Sequence, residues 1–513
     1  MYPGAFVTTT PDRAAVVMAD SGEQLTYAEL EDSSVRLSRL LHEHGLRPGD
    51  TVALLAENGL RNYEVYWAAL RSGLYITALN HHLKPEEIAY IVNDCGARAL
   101  VASATLADLA GAVADLTPAV ELRLAYGGPL PAHAHYESAL AAAPSVPLAD
   151  QPRGRDMLYS SGTTGRPKGV KAPLTGQQVG DPGDAMLDTF GALYGFGADT
   201  VYLCPAPLYH AAPLRFGAMV HAVGGTVVVL PHFDPVAALD ALERYEITHS
   251  QWVPTMFVRM LKLPDELRLG RDLSRHRVAV HAAAPCPVEV KRAMIDWWGP
   301  ILQEYYAATE AVGVTAIDSQ SWLRRPGSVG RAALGTLHIC GEDGQDLPVG
   351  QDGLVYFERD QLPFSYHNDP GRTRAAQHPA HPNWGTTGDV GHVDSDGYLF
   401  LTDRKDFMII SGGVNIYPQE VEDALALHPA VLDVAVVGVP DPEMGEQVKG
   451  VVQPAEGTVP GAELERELLA FLRARLAHYK VPRSLDFVDA LPRTATGKLQ
   501  KHKVRAGYLA RSS

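Results

Sequence analysis

Apolar positions along the chain fall first at helical and then at strand spacing, and this alternation is the earliest architectural signal. Thr26 and Glu29 stand three apart ahead of Leu30, Leu37, Leu40 and Leu41, the pattern of a capping box that opens an amphipathic helix, and Gly45 closes it. The turn at 47–50 leads into the strand-like run TVALLA. A helix is predicted over 63–72, a strand at LYITAL, a helix over 85–94 and a strand at ALVAS. Strands separated by single helices imply a parallel α/β sheet. Further on, VYLCPAPL, GGTVVVL and RVAVHAAA are short apolar runs bounded by turn residues, with helices predicted over 235–245 and 288–298. The Ala- and Pro-rich stretch at 111–152 reads as loop and connector, and no repeat recurs at a fixed period.

Near residue 406, after GYLFLTDRKD, the pattern shifts to short αβ units. A helix over 418–427 precedes the strands VLDVAVVGV and QVKGVVQ, a helix over 461–476 and a last strand, SLDFVD. The expected fold class is therefore α/β, with a large N-terminal domain of sheets and helices over 1–405 and a small α+β domain over 406–513. A length of 513 residues, about three times a usual single domain, fits that division.

Composition narrows the function classes. Hydrophobic residues at 46% and charged residues at 20% describe a globular chain, not a disordered or fibrous one. Forty-four Lys and Arg against 60 Asp and Glu leave a net charge of −16, which disfavours nucleic acid and anionic membrane surfaces as partners. A polyphosphate ligand must then be met by a local nest. Cys95, Cys204, Cys286 and Cys340 stand more than fifty residues apart, so no zinc or redox spacing exists and a reduced cytosol fits best. Neither a signal peptide nor a membrane span is expected, and a cytoplasmic location follows.

The densest chemical signal is Ser160, Ser161, Gly162, Thr163, Thr164, Gly165, Arg166, Pro167, Lys168 and Gly169, preceded by the apolar Met157, Leu158 and Tyr159. Three glycines let backbone close on a phosphate, four hydroxyls can donate, and Arg and Lys add charge. The spacing is not that of a Walker A loop.

With this loop the chain resembles the adenylate-forming superfamily, which spans acyl-CoA synthetases, adenylation domains and firefly-type luciferases. Further matches follow in the family's order: PLYHAAPL at 207–214, AAAPCP at 282–287, YYAATE at 305–310, TTGDVG at 386–391, LTDRKDFMIISGGVNIYPQEVE at 401–422, VGVPDPEMGE at 437–446 and PRTATGKLQK at 492–501. The resemblance implies an AMP-binding domain followed by a mobile lid, with ATP, Mg²⁺ and coenzyme A as cofactors.

It also implies roles. Ser160 to Gly165 with Lys168 would hold phosphate, while Ala283, Ala284 and Ala307 would border the nucleotide. Tyr306 would stack on adenine, Thr309 would bond a phosphate, and Glu310 would hold Mg²⁺. Asp389 and Arg404 would take the ribose, and Lys498 would bridge substrate carboxylate and α-phosphate. Asp406 would be the hinge, Ser411, Gly412 and Gly413 would line a thiol tunnel, and His210 would gate it. Tyr209, His210, Trp252, Val253, Ala282, Ala308 and Gly313 would line the acyl pocket, whose many small residues suggest a roomy apolar cavity. Family members carry Gly after the stacking Tyr, whereas this chain has Ala307.

No acid occurs in PLYHAAPL, where amino-acid-activating relatives pair an Asp with the substrate ammonium. The expected reaction is ATP-dependent formation of an acyl-adenylate from a bulky or long hydrophobic acid without an α-amino group, then transfer to coenzyme A. Loading of a separate acyl-carrier protein and a luciferase-like monooxygenase are the alternatives, and a dimer is left open.

Overall fold

The computed structural model describes residues 2–160, 167–404, 407–411, 414–493 and 499–512. Thr26 caps the helix Tyr27–Glu43 as the sequence predicts. Its side chain accepts from the Glu29 backbone N at 3.2 Å, and Glu29 Oε2 accepts from the Thr26 backbone N at 2.8 Å. Two N–H groups that the first turn leaves without helical partners are thereby satisfied. Leu30, Leu37 and Leu41 then point inward and are fully buried.

The next predicted elements appear as Thr51–Leu55, Arg61–Leu70, Tyr75–Leu79, Pro85–Asp94 and Ala97–Ser103. Their strands pair in parallel and sit at the centre of one sheet. Its order is Ser365–Tyr366, Lys168–Lys171, Arg155–Ser160, Tyr75–Leu79, Thr51–Leu55, Ala97–Ser103, Leu122–Tyr126, Ala134–His135. The stretch expected to be connector contributes to it. Helix Ala107–Leu116, strand Leu122–Tyr126 and helix Tyr136–Ala142 occupy most of 107–142. Alanine is the best helix former, and Leu122 and Leu124 alternate onto one buried face, so local preference outweighed the loop-like composition.

A second, larger sheet carries Val201–Cys204, Thr226–Val229, His249–Trp252, Val278–His281 and Leu302–Tyr306 as a parallel set. It continues in antiparallel fashion through Val314–Asp318, Ser328–Leu334, Leu399–Arg404, Asp389–Val393, Gly353–Glu358 and Thr336–Cys340. Helix Ala211–Ala222 bridges towards the first sheet, packing so closely on helix Arg61–Leu70 that a Cβ at Gly217 would lie 1.8 Å from the Tyr63 hydroxyl.

A third, smaller sheet of Ile409–Ser411, Val414–Ile416, Val431–Asp441, Gly445–Pro454 and Ser484–Phe487 forms the C-terminal domain. Helices Pro418–Ala426 and Ala462–Arg473 cover it, around a core of its own that includes Ile409, Val421, Leu425, Val436 and Leu468. It touches the large domain where Lys262 Nζ donates to the Val431 carbonyl at 3.1 Å and the Gln419 backbone N donates to Asp403 at 3.3 Å. Among the described residues no helix is long and apolar enough to cross a membrane.

Candidate functional site

Each chemically marked loop begins where a strand stops. Residues 205–212 follow Val201–Cys204, Val253 follows His249–Trp252, Ala282–Ala284 follow Val278–His281, and Ala307–Glu310 follow Leu302–Tyr306. Because these strands run parallel, their carboxyl ends open on one side, and the loops converge there. The Gly/Ser/Thr run leaves the end of Arg155–Ser160 in the neighbouring sheet.

Side chains tie the strand ends together at this edge, within the larger sheet and across to the other. Tyr306 Oη donates to Asp389 Oδ2 at 2.6 Å, and Thr387 Oγ1 donates to the same oxygen at 2.7 Å. Asp389, 6% exposed, is thus a nearly buried carboxylate held beside the tyrosine expected to face adenine. Glu310 Oε1 accepts from Tyr366 Oη at 2.8 Å, across to the edge strand of the other sheet. Between them lies an ion pair the sequence did not announce. Arg215 donates through Nη2 to Asp156 Oδ2 at 2.7 Å and through Nε to both carboxylate oxygens at 3.1 and 3.2 Å, while its Nη1 reaches the Thr309 carbonyl at 3.3 Å. Burial, the largest single influence, weakens the guanidinium's hold on its proton, but the charge and hydrogen bonds of Asp156 together with Tyr66 and Asp184 outweigh it and the pKa is raised.

Strand parity separates two neighbours at the expected acyl wall. Trp252 is 1% exposed but packs with Phe257 and Trp298 and donates Nε1–H to Ser250 Oγ at 2.6 Å, on the face turned away from helix Ala211–Ala222. Its neighbour Gln251 faces the helix side, where Nε2 donates to Tyr305 Oη at 3.0 Å and Oε1 accepts from Tyr202 Oη at 3.2 Å. Successive residues of a strand point to opposite faces, so a pocket on one face takes Gln251 and not Trp252. Gly313, also expected at the wall, lies against strand Gly353–Glu358. It gives room to Phe357, whose ring atoms would stand 2.0 Å from a Cβ there.

At the mouth, His210 precedes helix Ala211–Ala222, and its ring lies 4.5 Å from that of Tyr209. His81 packs edge-on to Tyr209 at 5.6 Å, and burial lowers its pKa. Val253, Ala284 and Ala308 are partly exposed on the same opening, whereas Ala282 is buried against the helix-side core. Ala307 takes an ordinary negative φ, so the methyl group that replaces the family's glycine costs no backbone strain; left-handed backbone is found instead at Ala283, φ 77°, and at Ala311, φ 52°. Ser160 ends its strand opposite Lys168 in antiparallel register.

Ser161, Gly162, Thr163, Thr164, Gly165, Asp406, Gly412, Gly413 and Lys498 lie outside the described residues, as does the side chain of Arg404. The backbone of Arg404 pairs with Asp389, and that of Ser411 pairs with Val414 and Gly445. Sequence reading missed Asp156, Arg215, Gln251 and Tyr366. Arg215 stands one residue past PLYHAAPL, and a basic residue in an otherwise apolar helix was the available signal.

Comparisons with known proteins agree with this arrangement. Residues 5–367 match the AMP-binding enzyme family, and residues 420–498 match the AMP-binding enzyme C-terminal domain. A feruloyl-CoA synthase from Amycolatopsis sp is 36% identical over 96% of both chains. The long-chain-fatty-acid–CoA ligase FadD13 of Mycobacterium tuberculosis is 30% identical, covering 98% of this chain and 97% of its own. Among solved structures, the anthranilate CoA ligase AuaEII in complex with anthranoyl-AMP superimposes with a TM-score of 0.85 at 25% identity, covering 100% of this chain and 97% of its own. With both domains matched in order and relatives aligned nearly end to end, the chain belongs to the AMP-binding enzymes, the adenylate-forming family of acyl-CoA synthetases.

Proposed function

We propose that the protein joins a hydrophobic carboxylic acid lacking an α-amino group to the AMP moiety of ATP, releasing pyrophosphate, and then passes the acyl group to the thiol of coenzyme A. The observation that carries this reading is the pair of contacts at the strand ends, Tyr306 with Thr387 on Asp389 within the larger sheet and Tyr366 on Glu310 between the sheets. A nearly dry carboxylate such as Asp389 suits the two hydroxyls of a ribose, and Tyr306, fixed through its hydroxyl, offers its ring to a base. The feruloyl-CoA synthase and anthranilate CoA ligase relatives favour a CoA-forming acid ligase.

Among the described residues no group of three His, Cys, Asp or Glu could hold a metal ion alone. The Glu310 carboxylate would hold Mg²⁺, a hard cation suited to oxygen donors, and the ion would supply countercharge to phosphate. The chain's own part is electrostatic and positional. Thr309 and the run from Ser160 to Lys168 bind phosphate, and Arg404 adds a second ribose contact. Lys498 steadies the carboxylate against the α-phosphate, so that two anions meet without prohibitive repulsion. Asp406 divides 1–405 from 406–513 as the hinge on which the lid then turns, bringing Ser411 and its two following glycines to the thiol path that His210 gates.

The test is pyrophosphate release over a panel of carboxylic acids, with and without coenzyme A. Acid-dependent release, with thiol-dependent appearance of AMP and acyl-CoA, is expected. Release that never leads to a thioester would refute the second half of the proposal, and no release with any acid would refute the whole.

A further inference from the structure

Stacked rings beneath the acyl pocket point to the size of acid it takes, an inference that rests on the acyl-adenylate reading above. The small residues that suggested a roomy cavity stand at its rim, where Ala211, Ala212, Ala284, Ala307 and Ala308 are partly exposed. One helical turn further in, Phe216 from helix Ala211–Ala222 meets Tyr305 from strand Leu302–Tyr306, with ring centroids 5.7 Å apart and planes inclined by 20°. Phe190 packs against both, 5.0 Å from each. Phe190 and Phe216 are 1% and 2% exposed, and Tyr305 is 6% exposed. Exposure that low leaves no water-sized passage between helix and sheet. A methylene chain, with carbon contacts at about 3.5–4.0 Å on every side, needs more room than a water molecule.

The rings are also braced. Tyr305 Oη accepts from Gln251 Nε2 at 3.0 Å, and Gln251 Oε1 accepts from Tyr202 Oη at 3.2 Å. Swinging Tyr305 aside would break a buried hydrogen bond and leave polar atoms without partners in an aromatic interior. We propose that Phe216, Tyr305 and Phe190 form a stop that limits the substrate to compact acids, a single ring or a short chain, and excludes long-chain acids. The three rings are the specificity determinant, and the apolar rim accepts whatever body fits above them.

The experiment measures kcat/KM for pyrophosphate release with a single-ring aryl acid and with dodecanoate, in the full-length protein and in Phe216→Ala, Phe216→Leu and Tyr305→Phe. In the unaltered protein the value for dodecanoate should lie at least about 10²-fold below that for the aryl acid, the scale of discrimination a shaped apolar pocket achieves. Phe216→Ala should narrow that ratio by about tenfold or more by raising the dodecanoate value. Phe216→Leu, which keeps most of the volume and so protects folding, should narrow it in the same direction. Tyr305→Phe keeps the ring but removes the hydroxyl held by Gln251, so it should narrow the ratio by less than Phe216→Ala does. Turnover of dodecanoate by the unaltered protein at a rate matching the aryl acid overturns the stop while leaving adenylation standing. An unchanged ratio in a folded Phe216→Leu or Phe216→Ala overturns it too. Silence towards every acid overturns adenylation and the stop together.

Discussion

Replacing Asp156 by Asn tests whether the Arg215 ion pair holds the site together. The substitution keeps the shape of the side chain and one oxygen acceptor but removes the charge facing a guanidinium that makes three contacts with it at 2.7, 3.1 and 3.2 Å. Two unit charges about 4 Å apart attract by about 4 kcal/mol at an effective dielectric of about 20. Part of that is returned as solvation, because Arg215 is 20% and Asp156 9% exposed. Loss of one partner of a buried pair costs about 3–5 kcal/mol, and the retained amide oxygen and partial exposure reduce this to about 2 kcal/mol. Arg215 also holds the Thr309 carbonyl at 3.3 Å, so a loosened guanidinium should loosen the segment that carries Thr309 and Glu310. The assay is a double-mutant cycle of Asp156→Asn and Arg215→Met, read by denaturant midpoint and by pyrophosphate exchange. A coupling of about 1.5–3 kcal/mol in stability is expected, together with a fall in kcat exceeding any change in KM for the acid. If the single effects add within about 0.5 kcal/mol, the pair is not an interacting unit and the reasoning fails. If stability falls while both kinetic constants stand, Arg215 braces the fold without positioning the loop.

Three further outcomes are expected. Ala283→Gly should raise the denaturation midpoint, by about 0.5–1 kcal/mol, because the left-handed backbone at φ 77° strains a residue with a Cβ; a lowered midpoint would contradict it. Lys498→Ala should cut adenylation by roughly 10²- to 10³-fold while thioester formation from supplied acyl-adenylate survives, and equal loss of both steps would count against the lysine's assigned role. Asp423, on the lid helix Pro418–Ala426, has its pKa raised from 3.8 to about 6 by burial first, then by Glu289 and Asp403. A carboxyl whose folded-state pKa is raised binds more protons folded than unfolded, and Glu422 beside it is likewise raised by burial, to about 7, so lid stability should fall as pH climbs from about 4 to about 7. Protease protection of the lid should show a loss of about 1–2 kcal/mol from Asp423, allowing for partial exposure, and Asp423→Asn should lessen the slope below about pH 6 while leaving the part due to Glu422; an unchanged slope would contradict it.

Much of the fold was legible because its determinants are local. Thr26 and Glu29 need only each other to start a helix, and the runs at Thr51–Leu55 and Val278–His281 are apolar enough to be strands buried on both faces. The loops were legible because phosphate and metal chemistry restricts residue type. What escaped depends on contacts far apart in sequence. Arg215 and Asp156 are 59 positions apart, and Glu310 and Tyr366 are 56, so neither pairing leaves a periodic trace. The antiparallel strands between Val314 and Arg404 are short, polar on one face and rich in turns, which blurs their alternation. The opposite facing of Gln251 and Trp252 was not legible either, because a loop motif names a neighbourhood while the pleat of the strand decides which face each member takes.

That pleat makes strand His249–Trp252 sensitive to counting in a way its composition hides. Deleting or inserting one residue ahead of Gln251 would exchange the two sides of the sheet. The indole would then turn towards Tyr305 and Tyr202, and the carboxamide would be marooned among Phe257 and Trp298, even though every amino acid of the segment was retained. Variation in this enzyme's acid preference is therefore expected to arise there by substitution, and a change in strand length should abolish activity outright.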